Sequence, residues 1–395
     1  MAPRYARSKR FERRGSVLPL LAVMCPVLLA FAALSADIGV LYSAKAELQR
    51  SADAAALAGA ATLVDERRLR ENGGTTLEIE MTVRSTAREY VTRNHVLGEG
   101  VTVDLNVSNS VDGDIVLGTL SDLSNYHEAL STANPNSYNS VYVRVRRDTE
   151  RNEPVGLFFA RIIGWYTANV GAEATATIED DVVGYRVTPT SGNAGLMPFA
   201  LHVDAWSALM AGVSPIGDQY SYDPDTGDVE PGTDGVVEIN FYPGGGAGQL
   251  PPGNFGTVDI GSPSNGVPDV RRQILEGVSA EDLAYHGGEL KLGPDGTLTL
   301  GGDPGLSAGF KDALESIIGQ PRAVPLFSEV SGNGNNAEYT IVGFAGIRIM
   351  DVKLTGSMSS KYVIAQPACV VDDAVITRGG AGASYLVYAP PRLTR

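Results

Sequence analysis

Thiols, imidazoles and positive charge are all scarce in this chain of 395 residues. Its two cysteines are Cys25, in an apolar segment, and Cys369, near the far end. A bridge between them would have to join a membrane segment to a distant domain, so no disulfide is expected, and the count does not decide the compartment. The four histidines, His95, His127, His202 and His286, stand far apart and show no metal-ligand spacing. Lysine and arginine number 31 against 46 acidic residues, a net charge of −15. Six of those cations (Arg4, Arg7, Lys9, Arg10, Arg13 and Arg14) share the first 16 residues with Glu12, a local +5 that leaves −20 on the remainder. A body that acidic repels phosphate backbones, which argues against nucleic acid as a partner.

Charge is missing altogether from Val17 to Ala36, "VLPLLAVMCPVLLAFAALSA". Twenty helical residues reach about 30 Å, the thickness of the hydrocarbon layer. Pro19 and Pro26 are tolerated in such a helix, and Pro26 is expected to bend it. Arg13 and Arg14 stand just before the span, which places the N-terminus in the cytoplasm and everything after Ala36 outside. A cleavable secretory signal competes with this reading, with Ala33-Leu34-Ser35 as its cleavage site. The apolar run exceeds the 7–15 residues of a signal core, and no helix breaker follows it, so a retained anchor is expected.

What is present next is alanine. Residues 44–63 read as unbroken helix, rich in the best helix former and joined by Glu47, Leu48, Gln49 and Arg50. Leu41, Leu48, Ala52, Ala55 and Ala58/Gly59 fall near one stripe at three- and four-residue steps. Small side chains there allow a second membrane helix to approach closely, the helix to pack on its own domain, or both.

The segment "RRGSVLPLLAVMCPVLLAFAALSADIGVLYSAKAELQRSADAAALAGA" resembles the N-terminal module of TadG-like Flp pilus-assembly proteins. The matching positions are Asp37, Gly39, Tyr42, Leu48, Gln49, Ala52, Asp53, Ala54 to Leu57, and Gly59. The stretch "NEPVGLFFARIIGWYTANVGAEATATI" is similar to the short amphipathic helix and alternating strand that often follow. The resemblance implies a structural component of a Tad/Flp-type pilus or secretion machine in the inner membrane, with other Tad/Flp components and membrane helices as partners. Two departures limit it. Leu20 stands five residues after Gly15, where a prepilin carries Glu, so prepilin processing is not carried over. No Asp-x-Ser-x-Ser string is present, so neither is the metal-dependent adhesion of a von Willebrand A domain.

Beyond Gly73-Gly74, residues 77–96 predict a helix lying along the first. Val101, Val103, Leu105 and Val107 alternate as a half-buried strand, as do Val141, Val143 and Val145, and the Asp-Gly between them signals a hairpin. Phe158, Phe159, Ile162 and Ile163 predict a short helix with an apolar face, and Val170 to Ile178 another strand. From Gly212 to Pro268, 21 of 57 residues are Gly or Pro, pointing to loops joining short strands. Residues 337–356 and 361–371 read as the main buried strands. The expected fold is α+β, an N-terminal transmembrane helix continuing into an Ala-rich helix, then a small α+β unit and a second β-rich domain with a few helices. The expected segments are 1–16 basic and cytoplasmic, 17–36 transmembrane, 37–70 Ala-rich, 71–188 the exported α+β unit, 189–376 the second domain and 377–395 a loose tail.

Chemistry finds little purchase. "GLSAG" at 305–309 matches a nucleophile elbow, but no histidine follows Ser307, which is expected to cap a helix near Phe310. Asp223, Asp225 and Asp228 crowd one loop without the EF-hand register. "GGGAG" at 244–248 lacks the Lys-Ser/Thr of a phosphate loop. No catalytic, cofactor-binding or metal residues are assigned. The residues expected to make assembly contacts are Asp37, Gly39, Tyr42, Leu48, Gln49, Ala52, Asp53, Ala55, Ala56 and Gly59. Asp37 is expected either to pair with a neighbouring subunit's charge or to sit in the headgroup layer. The competing functions are a surface adhesin binding carbohydrate or calcium through the β-rich domain, and a membrane-tethered envelope enzyme.

Overall fold

The computed structural model describes residues 17–70, 76–242, 255–261, 266–303, 306–332, 336–379 and 385–395. The basic segment 1–16, Gly73-Gly74, the glycine run 244–248 and Gly305 lie outside the described residues. Helix α1 (Leu18–Ala61) has 44 residues and runs through Pro26 without a break. At 1.5 Å per residue it is about 66 Å long. Thr62 closes it, its hydroxyl donating to the Gly59 carbonyl at 2.7 Å.

The first half of α1 is bare. Leu18, Leu20, Val23, Leu29 and Phe31 are exposed, and this is the single helix among the described residues long and apolar enough to cross a membrane. The second half is packed. Ala44, Leu48, Ala52, Ala55, Ala56 and Ala60 join Val141, Val143, Val145, Ala172, Ala174 and Ala176 in one core. Those partners come from β2 (Ser140–Arg147) and β5 (Val170–Thr177), the centre of an antiparallel sheet edged by β1 (Ile115–Gly118). Alternation along each strand turns one row of valines and alanines onto the helix, and alanine lets the helix lie close to them. Helix α2 (Thr76–Arg93) packs beside α1 through Ile79, Val83, Ala87 and Val91, spaced by four residues. A small hairpin of β3 (Val155–Gly156) and β4 (Thr167–Ala168) leads into β5.

Two expectations for this part fail. Residues 101–107 are not a ladder strand. The Asn152 side chain occupies Thr102, accepting from its N–H at 2.9 Å and donating to its carbonyl at 2.9 Å. Asp104 N–H goes to the Asp114 carboxylate, and Arg84, fully buried, donates to the carbonyls of Leu105 and Ile115. Side chains satisfy that backbone, so no neighbouring strand is needed. The partner of β2 is β1, from within the stretch read as a turn. Nor is the C-terminus a loose tail. Its last pair, Arg392–Leu393, adds an antiparallel edge to β5, Leu393 standing opposite Ala176.

The second body is built on a seven-stranded sheet. It contains β7 (Phe199–His202), β10 (Ile239–Asn240), β11 (Phe255–Val258), β13 (Leu298–Asp303), β14 (Pro321–Ser331), β15 (Ala337–Lys353) and β16 (Tyr362–Pro367). Smaller pairings involve β6 (Val182–Tyr185) with β12 (Leu290–Lys291) and β18 (Val375–Thr377), β8 (Tyr220–Tyr222) with β9 (Val229–Pro231), and β17 (Val370–Val371) with β19 (Val387–Tyr388); Arg392–Leu393 is β20. β15 pairs with β14 along one edge and with β13, then β16, along the other. With β13–β11, β11–β7 and the parallel β7–β14 pairing, five strands close into a ring. Period-two alternation divides their side chains: Leu201, Val324, Leu326, Ala345 and Ile347 enter one core, and Ala200, Ala323, Phe344, Tyr339 and Ile341 the other. Helices α3 (Val203–Met210), α4 (Val267–Glu276) and α6 (Lys311–Glu315) line the first; α5 (Ala280–Ala284) lines the second. β14 is invisible to a pattern reading because Pro321 and Pro325 interrupt it.

Candidate assembly surface along the first helix

Asp37 stands one residue beyond the charge-free segment and is 3% exposed. Its carboxylate accepts three backbone N–H groups: Phe158 at 2.8 Å, Phe159 at 2.9 Å and Ala160 at 2.7 Å. A group that accepts three bonds and donates none is held as the anion. Asp37 therefore serves its own chain, fastening the 157–166 loop to α1. Its oxygens are satisfied within its own chain, so no charge from a neighbouring subunit is needed to pair them.

Two turns and more above it, two side chains strap α1 to the sheet. Lys45 Nζ donates to the Gly171 carbonyl, and Gln49 Nε2 donates to the Glu173 carbonyl and to Asp53 Oδ1, both at 2.8 Å. Glu47 accepts the Leu97 N–H, tying in the turn after α2. Both amide hydrogens of Gln49 are thus used, one to fix β5 and one to fix Asp53.

The alanine stripe is interior. Leu48, Ala52, Ala55 and Ala56 are fully buried against the sheet, and a methyl added to Gly59 would lie 3.2 Å from Val141 Cγ1 and 3.3 Å from Ala87 Cβ. The structure packs Leu48, Ala52, Ala55 and Ala56 of that stripe on the chain's own sheet, while Leu41 and Ala58 stay half-buried. Gly39, Tyr42, Ser43, Ala46 and Arg50 face outward on this stretch of α1, and Ile38 and Lys45 are exposed beside them. Tyr42 exposes 73% of its surface, and a methyl on Gly39 would meet nothing within 4 Å. The first five follow three- and four-residue steps, so they make one narrow strip continuous with the bare apolar half.

The other sequence candidates resolve as structure. Ser307 caps the turn at Ala308–Phe310, its hydroxyl accepting from Gly309 N–H. Asp223 to Asp228 form the tip of the β8–β9 hairpin, where the Asp223 carboxylate accepts the Asp225 N–H and its carbonyl accepts from Gly227. Among the described residues no cluster of three His, Cys, Asp or Glu is arranged to hold a metal. His202 caps α3 through Nδ1. Cys25 and Cys369 are both free thiols, and burial pushes the Cys369 thiol up to about 12.

Sequence reasoning missed a cross-body contact. After α1 the chain makes a 3-10 turn, Glu66–Leu69, and Glu66 reaches Arg348 on β15. Charged residues so far apart in sequence carry no local signal of pairing.

The geometry defines a class: one continuous helix whose apolar base is long enough to cross a membrane and whose upper half is wrapped by a sheet. Residues 15–62 match the family model described as Flp pilus-assembly TadE/G-like, and residues 43–176 match the one described as Tad-like Flp pilus-assembly. The two matches together span residues 15–176, and that part of the chain is similar to TadE/G-like and Tad-like Flp pilus-assembly proteins. The overlap of the two matches, residues 43–62, falls within the packed half of α1. No curated protein and no solved structure matches the chain.

Proposed function

We propose that this protein is a non-enzymatic, single-pass component of a Tad/Flp-type pilus or secretion apparatus, anchored in the inner membrane with its N-terminus in the cytoplasm. The observation that carries the reading is the continuity of α1. One helix is lipid-compatible at its base and is the spine of a folded domain at its top, so a force or a displacement felt in either part is transmitted to the other without a hinge. The Glu66–Arg348 contact extends that coupling to the second body. Partner components of the machine then meet the bare base of α1, the strip Gly39–Tyr42–Ala46 and the surfaces of the acidic exported bodies. An adhesin using the Asp223–Asp228 loop finds less support, since the Asp223 carboxylate is engaged on the loop's own backbone.

The test is complementation of a deletion strain. Wild-type chain restores pili, and Tyr42→Ala combined with Gly39→Leu fails to, at equal protein level and unchanged melting temperature. Normal piliation by the double variant would contradict the assembly role of the strip.

A further inference from the structure

We propose a second membrane contact: the hairpin tip Phe158–Tyr166 lies in the outer leaflet beside α1, at the level where headgroups meet acyl chains. It rests on the anchoring part of the function proposed above and not on the pilus.

The tip is built rigidly. β3 and β4 pair Val155 with Ala168 and Gly156 with Thr167, Leu157 N–H donates to the Tyr166 carbonyl at 2.9 Å, and Trp165 N–H donates to the Ala160 carbonyl at 3.0 Å. Gly164, at φ 90°, makes the reversal that a side chain would oppose. Val155, Leu157 and Ala160 are buried and root the loop in the domain. Everything else apolar points away. Phe158, Ile162, Ile163, Trp165 and Tyr166 each expose between 63% and 84% of their surface, and Phe159 exposes 45%. Six large hydrophobic residues out of nine form a patch that a monomer in water does not keep bare.

Three observations name lipid as the occupant. First, Asp37 holds this tip by three hydrogen bonds at the residue that follows the charge-free span, so the patch is fixed at the upper edge of the hydrocarbon layer. Second, it continues the exposed apolar surface of α1 through Leu34 and Ile38. Third, in a body of charge −20 the stretch from Pro154 to Ala172 contains no acidic residue and one cation, Arg161. Trp and Tyr with an arginine among aliphatic side chains suit the interface, where rings sit at headgroup depth and a guanidinium reaches phosphate. The contact would fix the tilt and rotation of α1 by giving the domain a second foot.

The full chain is reconstituted in phosphatidylethanolamine and phosphatidylglycerol vesicles whose acyl chains carry bromine either near the glycerol or near the terminal methyl. The chain has two tryptophans, Trp165 and the buried Trp206. Fluorescence is expected to fall with bromine near the glycerol and to fall less with the deep label, and the bromine-sensitive part is expected to vanish in Trp165→Phe. Phe158→Glu with Ile162→Glu should reduce the quenching in protein that still floats with the vesicles. Protein that floats but whose Trp165 is quenched by aqueous iodide and ignores bromine overturns the proposal and leaves the anchor standing. Protein that does not float overturns the anchor, and the second contact with it.

Discussion

Arg348 grips Glu66 with both terminal guanidinium nitrogens, at 3.0 and 2.9 Å, across 282 residues of sequence. Its Nε donates to the Gly319 carbonyl, and the Tyr222 ring lies 3.4 Å from its guanidinium carbon. Glu66 also accepts the Cys369 N–H. The turn that follows α1 is thereby tied to the long strand of the second body. Glu66→Ala removes a partner from a cation that is 3% exposed and should cost about 2 kcal/mol, the range for hydrogen bonds to charged groups. Chemical denaturation followed through the second body checks this; an unchanged midpoint would show that the grip is incidental.

Asp37→Ala strands three N–H donors and should destabilise the 157–166 loop. Asp37→Asn keeps one acceptor oxygen and should cost less. Hydrogen exchange at Phe158, Phe159 and Ala160 is the readout, with faster exchange expected in the order Ala, Asn, wild type.

Ala55→Leu forces three extra carbons between α1 and the sheet and should lower stability by about 1–3 kcal/mol. Tyr42→Ala, on the outward strip, should leave melting within about 0.5 kcal/mol of wild type. Loss of pili in an Ala55 variant would accordingly report a broken fold, whereas loss in a folded Tyr42 variant would report a lost partner.

Burial pushes the Glu238 carboxyl up to about 7, even though Gln219 and Tyr220 donate N–H groups to it; nearby Asp218 and Asp234 add to the rise. The folded chain therefore holds a proton that the unfolded chain, at about 4.3, has released. The stabilisation is complete below the unfolded value and is lost as pH climbs toward 7, roughly 3 kcal/mol in all at the upper limit. Glu238→Gln should flatten that part of the stability–pH curve. Denaturant midpoints across the interval are the check, and a slope unchanged by the substitution would reject the assignment.

The elements legible in the sequence are those with a local signature. The charge-free run, the alanine block, the four-residue step of Ile79 to Val91 and the alternation of β2, β5 and β15 each announce themselves within a few residues. What stayed hidden was decided by partners. Alanine suits a membrane neighbour and a tight sheet equally, and the sequence does not name Val141 and Val143 as the residues beneath it. Val101 and Val103 alternate as a strand would, yet Asn152 and Asp114 take the backbone groups that a ladder would have used. β14 carries two prolines and still pairs with β7 and β15. Phe158 and Ile162 read as one apolar face, with nothing in their spacing to say that it points out of the domain.

Most direct is the mass and first residue of the mature protein recovered from carbonate-washed membranes. An intact N-terminus, retained with the membrane and shielded from protease added outside, is the result the anchored rod predicts. A soluble mature form beginning near residue 36, cut beside Asp37 and lacking the apolar half of α1, would contradict it.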